Sequence, residues 1–219
     1  MFGKLGLVFI AVAGLTFAQD EHEEVFTEIY DSCVWGINSE GEGFSGGGSL
    51  LQNTLPYIDY LREFMRKNDI KTVVDAGCGD WEFSRYIDWS GVQYVGYDVV
   101  KHVIEKNQQK FSKENIQFIH ENFLNINLPQ ADLLLCKHVL QHLSNRDVLI
   151  FLEQLPRFKY CLITNEVDPK TLSGDNQDIA TGGGHRLDLS KAPFNIVGTK
   201  VLTYRIEENS VHQVFLIEN

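Results

Sequence analysis

Apolar residues in this chain recur in two rhythms, and the rhythm switches repeatedly from about residue 50 onward. Leu55, Ile58, Leu61, Phe64 and Met65 follow helical spacing, which predicts a helix from Asn53-Thr54-Leu55-Pro56 to about Asn68. Thr54 is placed to cap it, and Pro56 suits a first turn. Short runs with strand character follow: Ile70 to Asp75, Val92 to Asp98, Ile116 to His120, Ala131 to Cys136 and Tyr160 to Thr164. Between them lie amphipathic segments, Trp81 to Asp88 and Val100 to Phe111, the latter with Val103, Ile104 and Phe111 on one side. Ser144-Asn145-Arg146-Asp147 reads as a capping box opening another helix, with Val148, Leu149, Phe151, Leu152 and Leu155 inside. The nearly continuous apolar run 131–136 suits a central strand covered on both faces. Ile196 to Arg205 and Val211 to Ile217, joined by Glu207-Glu208-Asn209-Ser210, predict a hairpin. The alternation as a whole predicts an α/β fold: a mostly parallel sheet ending in an antiparallel strand.

Asp75-Ala76-Gly77-Cys78-Gly79-Asp80-Trp81 joins the first strand to the segment after it. Strand, glycine turn and helix let backbone pass close beneath a flat ligand, because Gly77 and Gly79 carry no Cβ. A helix N-terminus beyond the turn would offer unpaired N–H groups to anionic or polar atoms. Two nucleotide-type patterns compete here. The dinucleotide fingerprint G-x-G-x-x-G requires glycine at position 82, but the chain has Glu82, an anion where a pyrophosphate would sit. The pattern acidic-x-G-x-G-x-G is matched by Asp75, Gly77 and Gly79, with Trp81 in place of the third glycine. Asp98 ends the second strand about 20 positions past the turn, where a carboxylate can accept both hydroxyls of a ribose. After the third strand, Asn122 is placed to hydrogen-bond the edge of an adenine, and Phe123 to pack or to offer its N–H. The plainer alternatives are an ordinary βα turn, an aspartate capping the next helix, and a polar turn before a core phenylalanine.

These residues together resemble the class I S-adenosylmethionine (SAM)-dependent methyltransferases. The resemblance runs from about Asn53 to Asn219 and rests on Asp75–Gly79, Asp98, Asn122–Phe123 and the stretch Ala131 to Leu143. That stretch is similar to the strand-four region of small-molecule methyltransferases, where a V-L-x-H-L run is common. The resemblance implies a Rossmann-like, seven-stranded, mostly parallel sheet with helices on both faces and an antiparallel terminal hairpin strand. It implies S-adenosyl-L-methionine as cofactor, bound by Asp75, Gly77, Gly79, Trp81, Asp98, Asn122 and Phe123, and a small-molecule or side-chain methyl acceptor. The family often has Asp at the place of Asn122. No Asn-Pro-Pro-Tyr-type motif follows strand four, which argues against DNA amino-methylation. Glu82 to Arg85 and the loop from Trp35 to Ser49 look like parts of a bacterial-type subgroup of uncharacterised methyltransferases. Two other classes stay open: a SAM-fold binding protein without catalysis, and a nicotinamide-dependent oxidoreductase.

SAM carries its own activation, so the protein of such an enzyme mainly positions and desolvates the partners. A base is needed only where the acceptor must lose a proton. His138 is the candidate, nearer the strand end than His142, four residues on. The pair has helical metal-ligand spacing, but no third ligand points to zinc. Trp81 and Tyr97 offer π faces to a sulfonium cation, or simply pack. Between Val167 and Pro193 no helical pattern holds, and this long loop reads as the acceptor side, with His185 and Arg186 placed to hold an acidic group. Asn165 and Glu166, which end the fifth strand, are placed to face the same acceptor.

Composition narrows the partners. The 219 residues suffice for one α/β domain, and a net charge of −11 argues against nonspecific attraction to nucleic acid or anionic lipid. Residues 1–18 have a basic start at Lys4, an apolar stretch from Leu5 to Leu15 and a small residue at Ala18. They read as a secretory signal cleaved after Ala18, making the protein secreted or periplasmic; the alternatives are an uncleaved interfacial helix or a misplaced start, with the protein then cytoplasmic. The stretch is too short to span a bilayer comfortably. Export sits uneasily with a cofactor made in the cytosol. The division expected is therefore a signal over 1–18, an N-terminal segment over 19–52 and the catalytic domain over 53–219. Within the middle part Glu21 to Asp31 is acidic and weakly helical, and the Gly/Ser tract from Gly41 to Ser49 reads as a linker or as a lid bearing Trp35 and Phe44. Cys33, Cys78, Cys136 and Cys161 form no C-x-x-C pair.

Overall fold

The computed structural model describes residues 20–167, 174–207 and 210–219, so the expected export segment lies outside the described residues. The order of elements is α1 (Glu21–Asp31), α2 (Leu51–Lys67), β1 (Thr72–Ala76), β2 (Gln93–Asp98), α3 (Lys101–Phe111) and β3 (Ile116–His120). There follow β4 (Ala131–Lys137), α4 (Asn145–Leu152), β5 (Phe158–Glu166), β6 (Thr199–Glu207) and β7 (Ser210–Glu218). One seven-stranded sheet runs in the order β3-β2-β1-β4-β5-β7-β6. Pairing is parallel from β3 across to β5 and antiparallel for β5–β7 and β7–β6. This is the expected Rossmann-like arrangement. Strand order reverses direction between β1 and β4, and the crevice beyond the C-terminal strand ends at such a reversal is where doubly wound sheets bind ligands.

Side-chain alternation splits the central strands between two cores. Val74, Leu134, Cys136, Cys161 and Ile163 face one core, which also takes Phe26, Ile29 and Tyr30 of α1 and Val148 and Phe151 of α4. Val73, Leu133, Leu135, Leu162 and Val214 face the other, against Tyr57, Ile58, Leu61, Phe64 and Met65 of α2. Both faces of β4 are therefore dry from Leu133 to Cys136, as that apolar run requires. The N-terminal segment is not a spacer in front of this domain: α1 supplies part of its core.

Local expectations are altered at two places. Helix α2 starts at Leu51, and Thr54 lies inside it, its hydroxyl donating back to the Leu50 and Leu51 carbonyls instead of capping. The helix expected from Trp81 to Asp88 shrinks to a single 3₁₀ turn, Ser84–Tyr86. Trp81 has a φ of 57°, outside the right-handed helical region, which stops a helix from starting at the turn. Its indole is 4% exposed and packs among Tyr94, Phe111 and Phe118. Burying a large aromatic there outweighs the propensity of a short amphipathic stretch.

Phe151 is fully buried and meets Phe123, with ring centroids 5.5 Å apart. We expect Phe151→Ala to lower the unfolding free energy by about 3–5 kcal/mol, read as a reduced urea midpoint at unchanged slope.

Candidate active site

A cavity of about 390 Å³ opens at the strand-order reversal. The turn after β1 floors it with Gly77, Cys78, Gly79 and Asp80, and Asp98 to Val100 and Asn122 to Leu124 line it from the ends of β2 and β3. Lys137 to Val139 and Gln141 to Leu143 border it beyond β4, and Ser210 and His212 beside β7. The near wall comes from the N-terminal segment: His22, Phe26, Tyr30, Trp35 and Ser45 to Ser49.

The glycine turn is shaped by close approach. Gly77 and Gly79 have φ of 80° and 53°; a Cβ on the first would come 2.4 Å from Val139 Cγ2, and on the second 2.3 Å from Ser45 Oγ. Ser45 Oγ in turn lies 2.7 Å from Tyr30 Oη and accepts from Asp80 N at 3.0 Å. Backbone N–H groups of Gly79 and Val100 donate to the two oxygens of Asp98, at 2.9 and 3.0 Å. Asp98 is 9% exposed, and burial raises its pKa above the ordinary carboxylate value despite those two donors. Asp75 accepts from Tyr94 Oη at 2.7 Å, and burial pushes it up to about 7, with the Tyr94 bond opposing. Asp80 Oδ2 accepts from Ser45 N, whereas its buried Oδ1 has no hydrogen-bond partner among the described residues. The cavity thus has an acidic half at the tips of β1 and β2.

Its other half is rich in nitrogen bases. His138 Nε2 lies 2.7 Å from His212 Nδ1, whose Nε2 lies 2.7 Å from Ser210 Oγ. Burial first, then the charge of Lys137, holds His138 well below its ordinary value, and the same two causes lower His212 to about 4.

A family model described as a methyltransferase domain matches residues 74–157. Among solved structures, the chain is similar to magnesium protoporphyrin IX methyltransferase from Synechocystis PCC 6803 with bound SAH, at 13% identity and a TM-score of 0.62, covering 90% of this chain and 98% of that one. It is similar also to the methyltransferase domain of a bacterial Hen1 (15% identity, TM-score 0.53, covering 74% and 97%) and to TehB from Haemophilus influenzae (16%, 0.53, covering 73% and 61%). No curated protein sequence matches the chain. Residues 74–157 match that methyltransferase domain, and the fold is that of the class I SAM-dependent methyltransferases.

The residues lining the cavity fit SAM as a cofactor. A buried carboxylate oxygen without a partner, at Asp80, and the carboxyl of Asp75 suit the positive charges that SAM carries. Each Asp98 oxygen accepts one backbone N–H and keeps a second lone pair for a ribose hydroxyl. The turn leaves no room for a side chain, so ligand atoms can approach the backbone directly. When bound, SAM supplies an electrophilic methyl group on a sulfonium.

Other expected site residues are placed less simply. Asn122 and Phe123 line the cavity, but the Asn122 amide donates to Asp20 Oδ2 at 2.9 Å and its Oδ1 accepts from Leu124 N. An adenine edge would have to replace or share that contact. Trp81 requires correction: it is buried in the core and does not line the cavity, because its left-handed backbone turns the indole away. Tyr97 is buried and outside the lining too. His142 borders the cavity but uses Nδ1 to bind Gly183 O at 2.7 Å, pinning the long loop. Glu166 reaches the cavity; Asn165, His185 and Arg186 do not. His185 binds Gln177 O, and Arg186 Nε lies 3.3 Å from Glu166 Oε1. Sequence reasoning missed Asp80, Ser45, Lys137, Ser210 and His212. Of these Lys137 left a signal, a lone cation closing the apolar run Leu133 to Cys136 of a central strand.

Asp75 makes stability depend on pH with a definite sign. Its folded pKa of about 7 stands above the ordinary aspartate value of 3.8, so the folded state holds the proton longer and its ionisation favours unfolding. That loss accumulates from about pH 4 to about pH 7 and then levels off. We expect Asp75→Asn, which keeps an acceptor for Tyr94, to match the wild type in urea unfolding near pH 4 and to be more stable at pH 8. Equal pH profiles for the two proteins would contradict the assignment.

Proposed function

We propose that the protein transfers the methyl group of SAM to a small molecule or to an exposed protein side chain. The single observation that carries this is the convergence of Asp75, Gly77, Gly79 and Asp98 on the same cavity as Lys137, His138 and His212. The acids and the bare turn suit an adenosyl sulfonium, and the nitrogen bases stand where a second reactant would meet the methyl group. Lodging both reactants in one enclosed cleft replaces a bimolecular encounter by a positioned one.

Calorimetry with SAM and SAH tests cofactor binding. We expect Asp98→Asn to weaken SAM about tenfold and Asp98→Ala further, in line with about 1.5–3 kcal/mol for a hydrogen bond to a charged group. Unchanged affinity in both variants would remove Asp98 from the ribose site. Transfer of labelled methyl to a metabolite panel separates an enzyme from a protein that only binds SAM, and NAD(H) should give no binding heat.

Export belongs to the same proposal. It is supported by the basic start, apolar stretch and Ala18, and cleavage there would leave Asp20, which accepts from the amides of Asn122 and Asn125, in the mature chain. Mass spectrometry of native material should find a new N-terminus at Gln19; an intact Met1 would defeat export without touching the enzymatic reading.

A further inference from the structure

Lys137 is the last residue of β4, directly after the apolar run Leu133 to Cys136, and it borders the cavity at the strand-order reversal. Its side chain is held on all sides. Nζ donates to Gly48 O at 2.7 Å, lies 3.2 Å from His138 Nδ1, and stands 4.9 and 5.7 Å from the ring centroids of Phe83 and Tyr57. Among the described residues it forms no ion pair with a carboxylate. A lysine with no close counter-ion in such a place is costly as an ammonium and far less so as an amine.

We propose that the ε-amine of Lys137 is the general base of the methyl transfer, and that the acceptor atom is one that carries a proton at neutral pH: a hydroxyl, an ammonium or a thiol, and not a carboxylate. This rests on the methyltransferase reading above. A neutral primary amine has two N–H donors and one lone pair. Gly48 O and His138 Nδ1 occupy the two donors, which leaves the lone pair for a proton arriving from the cavity. Once protonated, the ammonium has the faces of Phe83 and Tyr57 beside it, a favourable setting for a cation.

The titratable groups facing Lys137 are Asp75 from β1, Tyr57 from α2, His138 beyond β4 and His212 from β7. Burial lowers the amine to about 7, with Asp75 opposing, which matches a base to neutral pH. The histidines cannot serve as well. His138 has one ring nitrogen against Lys137 and the other against His212, so neither is left for an acceptor. With Lys137 donating to Nδ1, His138 is the Nε2–H tautomer and donates to His212, which donates to Ser210. That line of donors runs away from Nζ and offers the collected proton a way out. His138 and His212 are thus positioning residues for Lys137.

In the step itself the acceptor's X–H bond breaks and its proton goes to the Nζ lone pair. A new bond forms between X and the methyl carbon, and the pair of the broken C–S bond returns to sulfur. Charge and atoms balance with one proton left on Lys137, and no further reactant is needed.

The test uses the full chain and its Lys137→Gln and Lys137→Arg variants. In lysine side-chain NMR, one resonance absent from both variants should titrate near pH 7. By calorimetry both variants should bind SAM within about threefold of the wild type. With labelled SAM and a panel of small phenols, amines, thiols and carboxylic acids, transfer should favour the proton-bearing acceptors. Both variants should lose about 100-fold or more, and arginine should not rescue, since it stays protonated at neutral pH. A Lys137 resonance titrating near 10, preferred methylation of carboxylic acids, or a large loss of SAM affinity in both variants would overturn the proposal; the last would make Lys137 an anchor for the cofactor. If no panel member is methylated, titration and SAM affinity decide by themselves. Failure of the wild type to bind SAM would instead sink the methyltransferase reading, a distinct result.

Discussion

The Asp98 carboxylate holds the glycine turn in place. One oxygen takes the N–H of Gly79 and the other the N–H of Val100, so a single side chain ties the loop after β1 to the entry of α3. Asn107 of α3 closes the circuit by donating to Gly79 O at 2.7 Å. Hydrogen bonds to an ionised acceptor are among the stronger ones, and here they act on backbone that has no side chain to anchor it. The same carboxylate lines the cavity, so the group that fixes the turn also faces whatever enters. The turn is also clasped from the other side, where Ser45 joins Tyr30, Asp80 and the space that a Cβ on Gly79 would fill.

Sheet topology then sorts charge within the cleft. Parallel strands deliver all their C-terminal ends to one side, and the reversal between β1 and β4 sets the acids of β1 and β2 across from the bases of β4 and β7. Asp75 and Lys137 lie on the same side of adjacent strands, the first buried and the second half-buried, and each is moved toward neutrality by the loss of water. A site of this kind is an unstable arrangement without its ligands, and the dry cores on either face of β4 supply the stability that tolerates it.

The N-terminal segment completes the enclosure. Asp20 binds the amides of Asn122 and Asn125, His22 lies 3.2 Å from Asp147, and Trp35 packs on His142 with centroids 4.9 Å apart. Each contact joins residues more than 100 positions apart to a cleft-lining loop or to α4. This wall limits what can enter the cleft from outside.

Strand runs, the α2 and α3 stripes, the terminal hairpin and the acid–glycine–acid spacing were all legible in the chain, because period and turn chemistry are local properties. Asp75, Gly77, Gly79 and Asp98 could be placed on one cavity for the same reason: they sit at the ends of strands or in the turn that follows one. Trp81 misled because the motif reserves its place for a glycine near the ligand, whereas the free energy of burying an indole turned it into the core. The role of α1 as a wall was hidden because its polar sequence reads as a solvated helix until the crevice is there to cover. Lys137, His212 and Ser210 come together only across the sheet, from strands separated by some seventy residues. No spacing rule reaches that far; the antiparallel return of β7 beside β5 decided which nitrogen atoms meet, and burial decided their charge.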